Sequence, residues 1–159
     1  MVSIREVKEE DNTALGAVIR QVLIYIGAPK VGTAYADPEL DFMFQAYQKE
    51  RSAYFVLTED DKLIGGAGIA PLAGEAPGVC ELQKMYFLSQ GRGKGWGQKM
   101  INHCLAYAQS QDFELCYLET LPYMQAAQKL YLKTGFDYIE SPMGNTGHTS
   151  CNVWLTKAL

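Results

Sequence analysis

The chain has 159 residues, 48% of them hydrophobic, and its 14 Lys and Arg against 18 Asp and Glu give a formal charge of −4. That length suits one domain with a sizeable core, and the composition excludes a disordered chain, a coiled coil and a collagen-like repeat. The acidic balance speaks against nucleic acid as a partner, because binding a phosphate backbone needs excess positive charge. Residues 1–10 carry charges where a secretory leader needs an apolar stretch. The best apolar runs, such as Val22–Ile26, fall far short of the ~20 residues that cross a bilayer, so no membrane association is expected. Cys80, Cys104, Cys116 and Cys151 include no Cys-x-x-Cys pair. Reduced, buried or half-buried thiols in a cytoplasmic protein are the expectation. His148 and Cys151 have a ligand-like spacing, but nothing completes a four-ligand set, and no metal is expected.

Val2–Val7 alternates as a first strand. Cap-type residues Asp11, Asn12 and Thr13 then precede Leu15, Val18, Ile19, Val22, Leu23 and Ile26, an apolar helical stripe that Gly27 ends. After a loop, a second helix is expected from about Pro38 to Glu50. Ala53–Thr58 and Lys62–Ala70 read as a hairpin turning at Glu59–Asp61, and Val79–Leu88 as a longer strand. A helix from about Gly93 to Gln109 would put Trp96, Met100, Cys104, Leu105 and Ala108 on one face and His103 on the polar one. Phe113–Leu121 is a strand, and Pro122 suits the first position of a short helix that runs to Thr134 and stops at Gly135. Phe136–Glu140 and Ser150–Thr156 close the chain as a strand pair. The order βααβββαβαββ predicts an α/β fold with a mixed, mostly antiparallel central sheet and helices on both faces.

Between the Val79–Leu88 strand and the long helix, Gly91, Gly93, Gly95 and Gly97 alternate with Arg92, Lys94 and Trp96 before Gln98 and Lys99. Glycine lets backbone approach a ligand without a Cβ in the way, and the unpaired amides of a helix start favour an anion. With three local cations, this segment suits a phosphate-bearing ligand. A Walker A loop fails, because Leu88 occupies its first glycine position and Gly95 follows Lys94. The dinucleotide fingerprint also fails, with Trp96 or Gln98 at its last glycine position.

Arg92-x-x-Gly95-x-Gly97 does fit a known pattern. It is similar to the pyrophosphate-binding signature of the GNAT (Gcn5-related N-acetyltransferase) family. A second signature of that family follows in order, with Ala127, Leu130, Tyr131, Gly135 and Phe136, and the chain resembles the family over nearly its whole length. The stretches Leu118–Met124 and Gly144–His148 resemble a bacterial subgroup sometimes fused to MarR-type regulators, although no regulator is present here. The resemblance implies an acetyl-CoA-dependent N-acetyltransferase, with the cosubstrate bound between two splayed strands, Val79–Leu88 and Phe113–Leu121, and no metal. The pantetheine arm would lie along Met85, Tyr86 and Phe87. The pyrophosphate would rest on the amides of Arg92, Gly93, Lys94, Gly95, Trp96, Gly97 and Gln98, and a backbone N–H near Met85 would hold the thioester carbonyl and the oxyanion formed on attack. One departure stands out. Many members place an asparagine shortly before the second signature, whereas Met124 here offers no such polar contact.

The same resemblance assigns Tyr131 as the proton donor to the leaving thiolate, against the plain reading of a packed core tyrosine. Glu81 resembles the strand glutamate that serves as general base in histone-acetylating members. It lies about 13 Å of strand from Met85, so a water relay would be needed, and a half-exposed carboxylate or an ammonium anchor are its other readings. Glu119 could bind the amine, take its proton or favour the following helix start. His148 could act as a base at neutral pH or be a solvated loop histidine. The acceptor is a small-molecule or protein amine, entering between the loops 27–37 and 141–149 with Tyr25, Tyr35, Glu119 and His148 as lining. A non-catalytic acyl-CoA sensor and a macromolecule-interaction module remain alternatives, and the chain is a monomer or homodimer.

Overall fold

The computed structural model describes residues 1–159. Seven strands form one sheet in the order β1-β2-β3-β4-β5-β7-β6: β1 Val2–Glu6, β2 Ala53–Glu59, β3 Lys62–Pro71, β4 Val79–Phe87, β5 Leu115–Thr120, β6 Asp137–Ile139 and β7 Val153–Ala158. All neighbours run antiparallel except β4 and β5. The helices are α1 Asn12–Tyr25, α2 Met43–Ala46, α3 Trp96–Ser110 and α4 Gln125–Thr134.

Strand alternation divides the core between the two faces of the sheet. Tyr54 and Val56 of β2 join Leu15, Ile19 and Leu23 of α1 on one face. Ala53, Phe55 and Leu57 join Met100, Ile101 and Cys104 of α3 on the other. The β2–β3 hairpin turns on Asp60 and Asp61, whose φ values of 48° and 65° are those of the two-residue turn that matches strand twist. Cys80, Cys104 and Cys116 are buried, Cys151 is half-buried, and all four are free thiols. His103 is exposed, with its ring edge-on to Phe55 at 4.4 Å.

Four expected elements differ. The second helix is reduced to a 3-10 turn at Pro38–Asp41 and the single turn α2. Phe42, at φ −136° and ψ 41°, breaks it, and tertiary bonds outweigh propensity there: Arg20 holds Asp41 at 2.7 Å and the Asn12 side chain accepts from the Phe44 amide at 2.8 Å. The helix expected from Gly93 begins at Trp96, because Gly93 and Gly95 adopt φ values of 72° and 81°. Pro122 lies in a turn ahead of α4, which starts at Gln125. The last strand also sits a few residues later than read, at Val153–Ala158.

Two features of β4 create the site. Its parallel ladder with β5 ends at Glu81 opposite Tyr117, beyond which the strands part. Further along, Gly66 pairs with Tyr86 and Gly68 with Gln83, so Lys84 and Met85 together face the single residue Ala67. This β-bulge puts Lys84 at φ 48°, and the Tyr54 hydroxyl donates to its carbonyl at 2.7 Å. Tyr54 lies so close to β3 that a Cβ on Gly66 or Gly68 would fall 2.5 or 2.6 Å from its ring. The glycines of β3 therefore admit the aromatic ring that holds the bulge.

Candidate active site

Two cavities open where β4 and β5 part. The larger is a groove of about 600 Å³ between the start of α3 and α4, within the size range of small-molecule sites. Val22, Ile26, Met85, Phe87, Met124, Ala127 and Leu130 form its apolar walls, Arg92 and Lys133 its charged rim, and no carboxylate lines it. At its glycine-rich end no amide from Gly93 through Gln98 donates to any acceptor in the protein: the Lys99 amide is the first to bond back, to Gly95 at 3.2 Å. Gly93 and Gly95 are exposed with left-handed φ, and no atom lies within 4 Å of where their Cβ atoms would be. This bare run of donors at a helix start is a cradle for an anion. The Arg92 amide does not belong to it, because it bonds the Ser89 carbonyl at 3.1 Å. The Arg92 side chain bonds the Phe87 carbonyl at 2.9 Å and lies over the Tyr25 ring. Lys94 and Trp96 carry unpartnered amides in this run, but neither residue lines the groove.

Tyr131 of α4 stands at the inner end of this groove. It is 6% exposed, its hydroxyl makes no hydrogen bond to the protein, and burial raises its pKa well beyond the usual phenol range. A phenol so placed stays protonated and has a free donor. Met85 and Tyr86 lie beside it, and both are shared with a narrow passage of about 40 Å³ that also touches Leu82, Lys84, Glu119 and Cys151.

The passage leads toward a polar cavity of about 310 Å³ on the α1 side of the sheet. Glu81 and Gln83 of β4 and Glu119 of β5 reach it from the floor, Asp37 and Glu39 from one loop, and Thr146 and His148 from the other. The Tyr47 hydroxyl donates to Gln83 Oε1, and Gln83 Nε2 donates to Glu81 Oε1 at 2.7 Å. Burial, reinforced by the charge of Glu119 and opposed by the Gln83 bond, pushes the Glu81 carboxyl up to about 7. Glu119 accepts from the Tyr117 hydroxyl at 2.7 Å and from Thr146 Oγ1 at 2.6 Å. His148 Nε2 lies 2.9 Å from both Asp37 oxygens. Burial works against its charge, but the hydrogen bond and charge of Asp37 raise its pKa. It is thus a paired, part-buried residue and not a solvated loop histidine. Lys84 Nζ bridges Asp37 at 3.0 Å and Glu39 at 3.1 Å. Burial opposes its charge too, and the two carboxylates hold it above the usual lysine range.

Of the expected lining, Glu119 and His148 face this cavity, whereas Tyr25 is 74% exposed beside Arg92, and Tyr35 lies under Lys30. Lys84, Asp37, Glu39 and Thr146 escaped the sequence reading. The bulge explains Lys84: strict alternation would send it to the Leu82 face, but Gln83 and Lys84 line the same cavity in succession. No group of His, Cys, Asp and Glu side chains is arranged to hold a metal ion.

Comparison with known proteins identifies the class to which this fold and its paired cavities belong. Residues 23–136 match the model of the acetyltransferase (GNAT) family. The chain is 40% identical over 156 residues to the uncharacterized N-acetyltransferase YjgM of Escherichia coli K12, covering 98% of this chain and 93% of the relative. The chain belongs to the GNAT acetyltransferase family. Its fold is similar to that of a GNAT acetyltransferase from Staphylococcus aureus Mu50, with TM-score 0.88, 18% identity and 99% of both chains covered. It is also similar to the PaiA N-acetyltransferase of Thermoplasma acidophilum in complex with coenzyme A, with TM-score 0.75, 16% identity and 100% and 99% covered. No helix is long and apolar enough to cross a membrane.

Proposed function

We propose that the chain acetylates a primary amine directly, with acetyl-CoA in the groove and the amine in the polar cavity. The observation that carries this reading is the run of unpartnered amides from Gly93 to Gln98, opening into a groove that ends at a free tyrosine hydroxyl. Acetyl-CoA, when bound, supplies an activated acetyl group as a thioester. The protein's own residues do the rest. The amides and Arg92 and Lys133 hold the anionic end, and Met85, Phe87, Ala127 and Leu130 enclose the arm and exclude water. Met124 replaces the expected polar contact with an apolar one, its sulfur lying 3.7 Å from Thr120 Oγ1, so recognition falls to the backbone.

An ammonium cannot attack until it loses a proton. Glu81, with its carboxyl near neutrality, takes that proton, through water across the passage. Tyr131 keeps its own proton at neutral pH and donates it toward the leaving sulfur. Glu119 binds the acceptor, and His148, tied to Asp37, joins the two loops over the cavity and is not the base. Cys151 lines the passage with its thiol pushed up to about 12 by burial, chiefly, and by Glu119 and Glu81; it stays a thiol and not a nucleophile. Four free cysteines suit a reducing compartment such as the cytoplasm. The likeness to the MarR-fused subgroup rests on two stretches that meet at the Glu119–Thr146 bond. Release of CoA with a library of amines tests the function. Turnover that Glu81→Gln and Tyr131→Phe each reduce about a hundredfold or more supports it, and no turnover with any amine refutes it.

A further inference from the structure

The polar cavity is not evenly neutralised. Its two basic side chains, Lys84 and His148, are both taken up by Asp37 and Glu39. Glu81 and Glu119 have no ion-pair partner and are held by neutral donors alone: Gln83 for Glu81, and Tyr117 and Thr146 for Glu119. These bonds aim the carboxylates without cancelling their charge. The register of β4 and β5 sets Glu81 opposite Tyr117, with Glu119 two residues further on the same face. Glu81 is 7% exposed, lines the cavity, and its second oxygen has no partner in the protein.

Resting on the proposed function, we infer that the acceptor is a small molecule with two cationic nitrogens, one reacting beside Glu81 and the other bound by Glu119. When Glu81 has taken the proton of the reacting amine, that pair becomes neutral and Glu119 is left without an ion-pair partner. A half-buried carboxylate without a counterion is unfavourable, and a second ammonium or guanidinium on the acceptor supplies one. A carboxylate there would meet repulsion, which disfavours amino acids. The volume of about 310 Å³ accommodates a short diamine.

The test compares three four-carbon amines that differ only at the far end: putrescine, butylamine and 4-aminobutanoate, each with acetyl-CoA. Putrescine is expected to exceed butylamine in kcat/KM about ten- to a hundredfold, the worth of one charge-assisted bond, and 4-aminobutanoate to fall below both. Glu119→Gln collapses the putrescine-to-butylamine ratio toward one. Thr146→Val, which removes a hydrogen bond to Glu119 but leaves the carboxylate, keeps the ratio well above one. Equal rates for putrescine and butylamine, or a ratio unmoved by Glu119→Gln, overturn the inference and leave the acetyltransferase reading standing. No CoA release from any amine overturns both.

Discussion

Replacing Glu81 with glutamine separates catalysis from stability, because the two should move in opposite directions. Burial raises the carboxyl from its ordinary 4.5 to about 7, so the folded protein holds a proton that the unfolded chain releases between those values. Stability therefore falls as pH rises through that window, and the loss persists above it. A difference of roughly 2.5 in pKa corresponds to about 3 kcal/mol. Glutamine never ionises and keeps the hydrogen-bond geometry available, so relative to its difference at pH 4.5 the variant should gain about 3 kcal/mol by pH 8, or roughly 6–12 °C in Tm for a chain of this size. Denaturant melts of both proteins at the two pH values measure this directly. The acid limb of kcat/KM, which in the native enzyme should fall about tenfold per pH unit below pH 7, should vanish in the same variant with most of the rate. If the stability difference between variant and native protein is the same at pH 8 and 4.5, Glu81 is not a buried, proton-retaining carboxyl, and its role as base fails with it.

Tyr131→Phe should lower kcat about a hundredfold while leaving the melting temperature within about a degree, because the hydroxyl makes no protein bond to lose; a large stability loss would mean a structural tyrosine. Gly95→Ala should destabilise the fold by only about 1–2 kcal/mol, the price of a left-handed alanine in open space, yet weaken CoA binding about tenfold or more by calorimetry as the neighbouring amides turn. His148→Gln tests the clasp over the cavity. The Asp37 pair stabilises fully below the ordinary histidine pKa of 6.5 and is lost as pH rises through the raised folded value. The variant should accordingly melt lower than the native protein at pH 5.5, with the gap narrowing by pH 9.

Much of the architecture was readable because local signals agreed with the fold. The α1 stripe, the hairpin turn at Glu59–Asp61 and the Gly135 stop each specify their own conformation. What could not be read depends on long-range contacts. Pro38–Glu50 has helical character, but Arg20 and Asn12, far away in the chain, hold Asp41 and Phe44 in a broken path. The start of α3 moved to Trp96 because two glycines took left-handed φ, which glycine permits but does not impose. At the site, the family resemblance singled out Glu81 and Tyr131, and Glu119 was singled out by its place late in a splayed strand; all three line the cavities. Lys84 was not, because a bulge opposite Ala67 reverses the alternation that a sequence reading relies on. Asp37 and His148 meet across 111 positions of chain, a pairing that neither loop's sequence encodes by itself.

The account stands or falls on the bare amides between Arg92 and Lys99. Amide NMR spectra of the labelled protein, recorded while coenzyme A is added, report on each of them separately. The account predicts saturable downfield movement of the Gly93–Gln98 signals, with the Arg92 amide, already bonded to Ser89, responding least. Saturable binding of coenzyme A that leaves those amides where they were would contradict it.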